Sequence, residues 1–67
     1  MVRCVEVVAR RANLYDEPID GAEIRSVLPE GTQMLLRWPE PRDGWYWVQY
    51  GYLSGYVRAC KLSVVGV

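Results

Sequence analysis

Histidine is absent from this sequence, and its absence excludes catalysis that depends on an imidazole base. Histidine is the most frequent general base in enzymes, and without it no Ser-His or Cys-His pair can form. A glycine-rich phosphate-binding motif is also lacking. The acidic residues of segment 16–20 stand beside proline and glycine, where solvated loop charges are the ordinary interpretation. We therefore expect that the protein is not an enzyme.

Soft metal ligands are almost as scarce. Cys4 and Cys60 are the two cysteines, and they stand near opposite ends of the chain, at a spacing that fits no zinc motif. The sequence therefore predicts no metal and no other cofactor. The two thiols are expected to be free and partly buried, or, in an oxidising compartment, joined in a disulfide that ties the ends together.

The chain also lacks a charge of one dominant sign, because eight basic and eight acidic residues cancel. A nucleic-acid-binding surface needs a basic stripe, and attachment to an anionic membrane needs a basic cluster, so neither partner is expected. No apolar run is long enough to span a bilayer, and Glu6 interrupts the apolar start. If Met1 is the natural start, we expect a cytoplasmic protein; a domain of a longer secreted chain would belong to the cell envelope.

Phenylalanine is missing too, so that three tryptophans and five tyrosines supply all the large rings. Tyrosine and tryptophan carry a polar tip and suit sites that are apolar on one side and wet on the other. Apolar residues make up 51% of the chain, enough for the core of one small domain over residues 1–67.

Helical periodicity is absent, and short alternating runs separated by Gly, Pro and Asp predict an all-β domain. We expect strands at about 3–9, 23–28, 32–38, 45–50, 52–57 and 62–65, with loops at 13–21 and 39–44, a tight turn at 29–31 and an irregular turn at 58–61. Five or six short strands in one small domain indicate a closed barrel.

The segment DGWYWVQYG, residues 43–51, is the most aromatic part of the chain. Alternation along a strand divides its side chains between two faces, with Trp45, Trp47 and Gln49 on one face and Tyr46, Val48 and Tyr50 on the other. The second set is expected to fill the core. Trp47 is expected to be exposed on the first face, where a solvated side chain would serve folding equally well, and this suggests a contact surface.

Three segments in order resemble bacterial Src-homology-3-like (SH3b) domains: ANLYDEP at 12–18, VLPEGT at 27–32, and DGWYWV at 43–48 followed by GYV at 55–57 and Leu62. The similarity covers roughly residues 5–65. It implies a small five-stranded, strongly bent SH3-like barrel that binds peptides. Members of this family anchor wall enzymes to peptidoglycan or act as intracellular adaptor and assembly modules.

One difference from the eukaryotic members of the wider family limits the kinds of peptide that the chain is expected to bind. Eukaryotic relatives grip polyproline with a Pro-x-Asn-Tyr cluster, and the corresponding segment here is Arg58-Ala59-Cys60-Lys61. Lys61 therefore stands where those relatives have one of the aromatic residues that contact a polyproline helix. Conventional PxxP recognition is not expected.

The candidate ligand-binding residues are Tyr15, Trp45 and Trp47, with Asp16 and Glu17 beside them. The rings would line a surface groove, and the carboxylates would favour a ligand with a basic or amine-bearing group, such as a peptidoglycan peptide.

Each ring also has a structural alternative. Trp45 would pack over the mouth of the barrel, Trp47 would pack across the hairpin on Tyr52 or Tyr56, and Trp38 would close one end.

Two functions follow from these alternatives. The first is a non-catalytic module that binds an extended peptide from the cell wall or from a partner protein. The second is an intracellular assembly subunit, or a homo-oligomer, that buries Trp47 against another chain.

Overall fold

The computed structural model describes residues 3–65, which form seven β-strands and one turn of 3₁₀ helix. The strands are β1 (Arg3–Val7), β2 (Arg11–Tyr15), β3 (Ile24–Pro29), β4 (Gln33–Leu36), β5 (Trp45–Tyr50), β6 (Leu53–Arg58) and β7 (Leu62–Val65), and the 3₁₀ turn is Ala59–Lys61. The predicted all-β class is confirmed. Met1, on which the expected cytoplasmic location depends, lies outside the described residues.

All seven strands belong to one antiparallel sheet with the order β3-β2-β6-β5-β4-β1-β7. Strands β3 and β7 are its two edges, so the sheet is not closed by strand pairing. The expected five-stranded closed barrel is therefore not confirmed, because the described residues contain more strands and an open sheet.

The additional strand is β2, part of which lies in the loop expected at 13–21. Its polar positions, such as Asn13, obscured a short alternation in which Ala12 and Leu14 are buried. The chain bends between β1 and β2, and backbone hydrogen bonds hold this bend: Val8 N–H donates to the Lys61 carbonyl and Glu30 N–H donates to the Arg10 carbonyl. The strand expected at 3–9 therefore ends at Val7, and an unexpected strand begins at Arg11.

Every strand contributes to a single hydrophobic core. Its buried members are Val5, Val7, Ala12, Leu14, Leu28, Met34, Leu36, Val48, Val57 and Leu62. A sheet whose strands all bury side chains in one cluster must curl around that cluster, since the two faces of a flat sheet cannot share a core. The Cα radius of gyration of 10.5 Å agrees with this compact arrangement.

The expected alternation in β5 has two exceptions, and one of them is Trp45, which is buried although it lies on the outer face. Val48 is fully buried and Tyr46 packs against the core, as predicted. Tyr50 was also expected inside, but 42% of its surface is exposed. It is the last residue of β5, next to the hairpin turn at Gly51, and therefore lies beyond the edge of the core.

Gly55 in β6 is required by a close approach between neighbouring strands. A Cβ atom at this position would lie 2.5 Å from the Tyr15 carbonyl oxygen and 3.0 Å from the Leu14 side chain. Tyr15 pairs with Tyr56 at this crossing. The absence of a side chain at Gly55 therefore allows β2 to lie against β6.

The two cysteines are both free in the structure. Cys4 is half-buried in β1, and Cys60 is exposed in the 3₁₀ turn. The alternative in which a disulfide joins the chain ends is therefore not the one that the structure contains.

Candidate functional site

Five aromatic side chains lie together on the outside of the curled sheet. They are Tyr15, Trp38, Trp45, Trp47 and Tyr56, and we call them the aromatic face. In the strand register Tyr15 is opposite Tyr56, and Tyr56 is opposite Trp47. Because directly opposite residues project to the same side of a sheet, three rings form one row across β2, β6 and β5.

Trp38 joins this row from the segment that follows β4. Its ring centroid is 5.6 Å from that of Tyr56 and 6.3 Å from that of Trp47. The backbone N–H of Arg37 donates to the Trp47 carbonyl at 2.8 Å, which holds this segment against β5. Trp38 therefore packs on the aromatic face. The sequence had instead predicted that Trp38 closes one end of the barrel.

Trp45 belongs to the same face but is buried, with 4% of its surface exposed. The Tyr15 ring is nearly perpendicular to it at a centroid distance of 5.4 Å, and the Arg58 guanidinium carbon lies 4.3 Å from its ring centroid. Arg58 is directly opposite Trp45 in the β5–β6 register, which explains this contact. Trp45 thus packs beneath Tyr15 and Arg58 and is not part of the core cluster.

Arginine side chains contact three of the five rings. Besides Arg58 on Trp45, the guanidinium carbon of Arg42 is 4.2 Å from the Trp38 ring centroid, and that of Arg37 is 5.5 Å from the Trp47 ring centroid. Such cation–π contacts orient the guanidinium groups over the ring faces. The aromatic face therefore carries positive charge at its rings.

A cavity of about 220 Å³ opens at the Tyr15 end of the aromatic face. It is lined by Arg11, Ala12, Asn13, Tyr15, Val57, Arg58 and Lys61, and we call it the basic pocket. Its lining, among the described residues, includes three cationic side chains and no carboxylate. The Asn13 amide nitrogen donates to the Tyr15 hydroxyl oxygen at 3.2 Å, which fixes the phenol at the pocket wall.

A second cavity, of about 400 Å³, is lined by Arg3, Leu36, Arg37 and Pro39. Arg37 also contacts Trp47, so this cavity adjoins the other end of the aromatic face. A half-buried aromatic row with a cavity at each end has the form of an extended binding surface.

The acidic residues take up other positions. Glu17 is exposed, while Asp16 is half-buried with one carboxylate oxygen that has no hydrogen-bond partner within residues 3–65. The Asp16 backbone N–H donates to the Glu23 carbonyl at 3.0 Å. Neither carboxylate lines the basic pocket. Asp20, by contrast, pairs with Arg58.

The structure therefore brings Tyr15 and Trp45 into contact and places Trp47 in the neighbouring row. It separates Asp16 and Glu17 from the wall of the pocket. Arg58 was not predicted as a site residue. Pairing the residues before and after the hairpin turn at Gly51 would have placed it opposite Trp45. The contribution of Arg11 gave no comparable signal, because it depends on the bend between β1 and β2.

Within residues 3–65 no group of three or more His, Cys, Asp or Glu side chains is arranged to hold a metal ion. A helix long and apolar enough to cross a membrane is likewise not found in that range. In comparisons with known proteins, no family model matches the chain, and no solved structure matches it at a significant level.

Proposed function

We propose that this protein is a non-catalytic binding module that recognises an extended peptide segment on its aromatic face. The observation that carries the proposal is the row of Tyr15, Tyr56 and Trp47 across three strands, outside a core that is complete without them. Rigid aromatic side chains give large contact area at a small cost in conformational entropy, which is why they are frequent in peptide-binding surfaces.

The proposed architecture is an SH3-like barrel. The support for it is the curled all-β sheet around one core, together with the three segments that resemble the bacterial domains of that class. The open edges at β3 and β7 and the strand count differ from the simplest version of that barrel.

The proposed ligand is a neutral or acidic segment of a cell-wall peptide or partner protein. The sequence suggested a basic ligand, because Asp16 and Glu17 adjoin Tyr15 in the chain. On the folded surface the charges next to the rings are those of Arg37, Arg42 and Arg58. Like charges across an interface lower affinity, so these arginines disfavour a basic segment.

Selection from a random peptide library, followed by tryptophan fluorescence titration of the selected peptides, tests the proposal. We expect binding peptides to emerge, and Trp47→Ala to weaken their binding about tenfold or more, as for a central aromatic contact. Tyr52→Ala is the matched control, since Tyr52 lies at the hairpin tip with 95% of its surface exposed. A library that yields no binder, or equal losses for both variants, would contradict the proposal.

A further inference from the structure

The basic pocket contains more cationic residues than peptide binding on the aromatic face would need. Arg11, Arg58 and Lys61 line one small cavity, although positive and negative residues are equal in number in the whole chain. Three cations around one cavity repel one another unless an anion lies between them. The pocket is therefore electrostatically suited to an anionic group.

Hydrogen-bond donors around the pocket are also arranged for an acceptor. The Tyr15 hydroxyl oxygen accepts from Asn13, which leaves the Tyr15 O–H proton free to donate to a bound group. Arg58 is held by its contact with the Trp45 ring, so its guanidinium is ordered before a ligand arrives. Ordered donors reduce the entropy lost on binding.

Asp20 indicates which anion fits. Its carboxylate already pairs with Arg58, which lines the pocket, although Asp20 itself is not part of the lining. The Asp20 side chain is 87% exposed, so this ion pair is largely solvated and contributes little to stability. A carboxylate from another molecule can therefore replace Asp20 at Arg58 at small cost.

We propose that the basic pocket binds one carboxylate group of the peptide ligand, and that Asp20 competes for the same arginine. This inference rests on the proposed function for the statement that the ligand is a peptide. The carboxylate belongs either to the C-terminus of the peptide or to an Asp or Glu side chain. A volume of about 220 Å³ is smaller than a typical small-molecule site and suits a single residue.

Four synthetic peptides distinguish the affinity that each kind of carboxylate contributes from the affinity that the rest of the peptide contributes. All have the same Gly-Tyr-Gly body with a blocked N-terminus, and they end in Glu-amide, Gln-amide, Gln with a free carboxylate, or Lys-amide. Binding is followed by backbone amide shifts of the isotope-labelled full chain. At least one of the two carboxylate peptides should bind about tenfold more tightly than the Gln-amide peptide, as expected for a charge-assisted contact. The Lys-amide peptide should bind most weakly.

Variants of the chain locate the effect. Lys61→Gln and Arg11→Gln should each reduce the preference for carboxylate about threefold, and Asp20→Asn should increase affinity by a similar factor because it removes the competitor. Both altered cations are exposed, so folding should be unaffected. Arg25→Gln is the matched control: it removes an exposed arginine of the edge strand β3 that lines neither cavity, and it should leave the preference unchanged.

The outcomes distinguish this inference from the proposed function. If all four peptides bind equally and Trp47→Ala weakens them all, the peptide module stands and the carboxylate pocket is wrong. If inorganic phosphate displaces the Glu peptide at a lower concentration than acetate does, the pocket prefers phosphate and the carboxylate assignment is overturned. An unchanged preference in the Arg11→Gln, Lys61→Gln double variant would overturn it as well.

Discussion

The indole of Trp45 packs against the Tyr15 ring and the guanidinium of Arg58, although the strand directs it away from the core. A side chain in this position supports the surface on which a ligand lies, while most of its own area is hidden. Its two neighbours both line the basic pocket. Trp45 therefore positions the donors of the pocket and contributes to folding at the same time.

Trp45→Ala should lower the free energy of unfolding by about 3–5 kcal/mol, as for other buried aromatic residues. Trp47→Ala, at a half-buried position, should cost about 0.5–1.5 kcal/mol through loss of its contact with Trp38. Urea denaturation followed by circular dichroism measures both changes. A Trp45→Ala midpoint equal to that of the unaltered protein would show that Trp45 is dispensable for the fold.

Gly55 is a second residue with a sharp expectation. Gly55→Ala should destabilise the protein by about 1–3 kcal/mol, because the added methyl group overlaps the Tyr15 carbonyl oxygen. Ser54→Ala, one position earlier on the same strand, should change stability by less than about 0.5 kcal/mol. Thermal unfolding of the two variants gives the comparison. Equal melting temperatures would mean that β2 and β6 can separate without loss.

At the level of elements, the β5–β6 hairpin and the β2–β6 crossing differ in their pairing. Six residue pairs join β5 to β6, whereas Tyr15 and Tyr56 form the one pair in the register of β2 and β6. The aromatic face spans both junctions. Its shape therefore depends on a strongly paired hairpin and a weakly paired neighbour.

We expect backbone amides of β5 and β6 to exchange with solvent only on global unfolding, and those of the edge strand β3 to exchange through a smaller local opening. Native-state hydrogen exchange at several urea concentrations measures these free energies. Equal values for β3 and β5 would show that the edge strand opens only when the whole sheet unfolds.

Sequence patterns predicted some elements closely and missed others for identifiable reasons. The last strand was predicted with its observed bounds, and β5 was predicted from its alternation, because turn residues flank both. Strand β2 was missed because Asn13 and Asp16 are typical loop residues, and its burial depends on the distant Gly55. The pocket could not be predicted, since its cations come from β2, β6 and the 3₁₀ turn, which only the folded sheet brings together.

For the whole molecule, the sequence leaves two functions possible: the aromatic residues bind a peptide ligand, or they contact a second copy of the chain. A symmetric dimer would place identical patches against each other. The arginines on the aromatic face would then oppose arginines of like charge. This arrangement disfavours self-association through that face.

Sedimentation velocity at high protein concentration should therefore give the same distribution for the unaltered chain and for Trp47→Ala. Any association should instead respond to Val27→Lys, which places a charge at an exposed position of the edge strand β3. A dimer that Trp47→Ala dissociates would support the assembly function in place of the peptide module.

The most direct test of the central claim is a map of the bound peptide on the protein. Amide and indole N–H shifts of the labelled chain are recorded during titration with a library-selected peptide. We expect the largest shifts at the indole groups of Trp38 and Trp47 and at the amides of Tyr15 and Tyr56, with little change in β3 and β7. Shifts concentrated on those two edge strands, with the tryptophan signals unmoved, would contradict the claim.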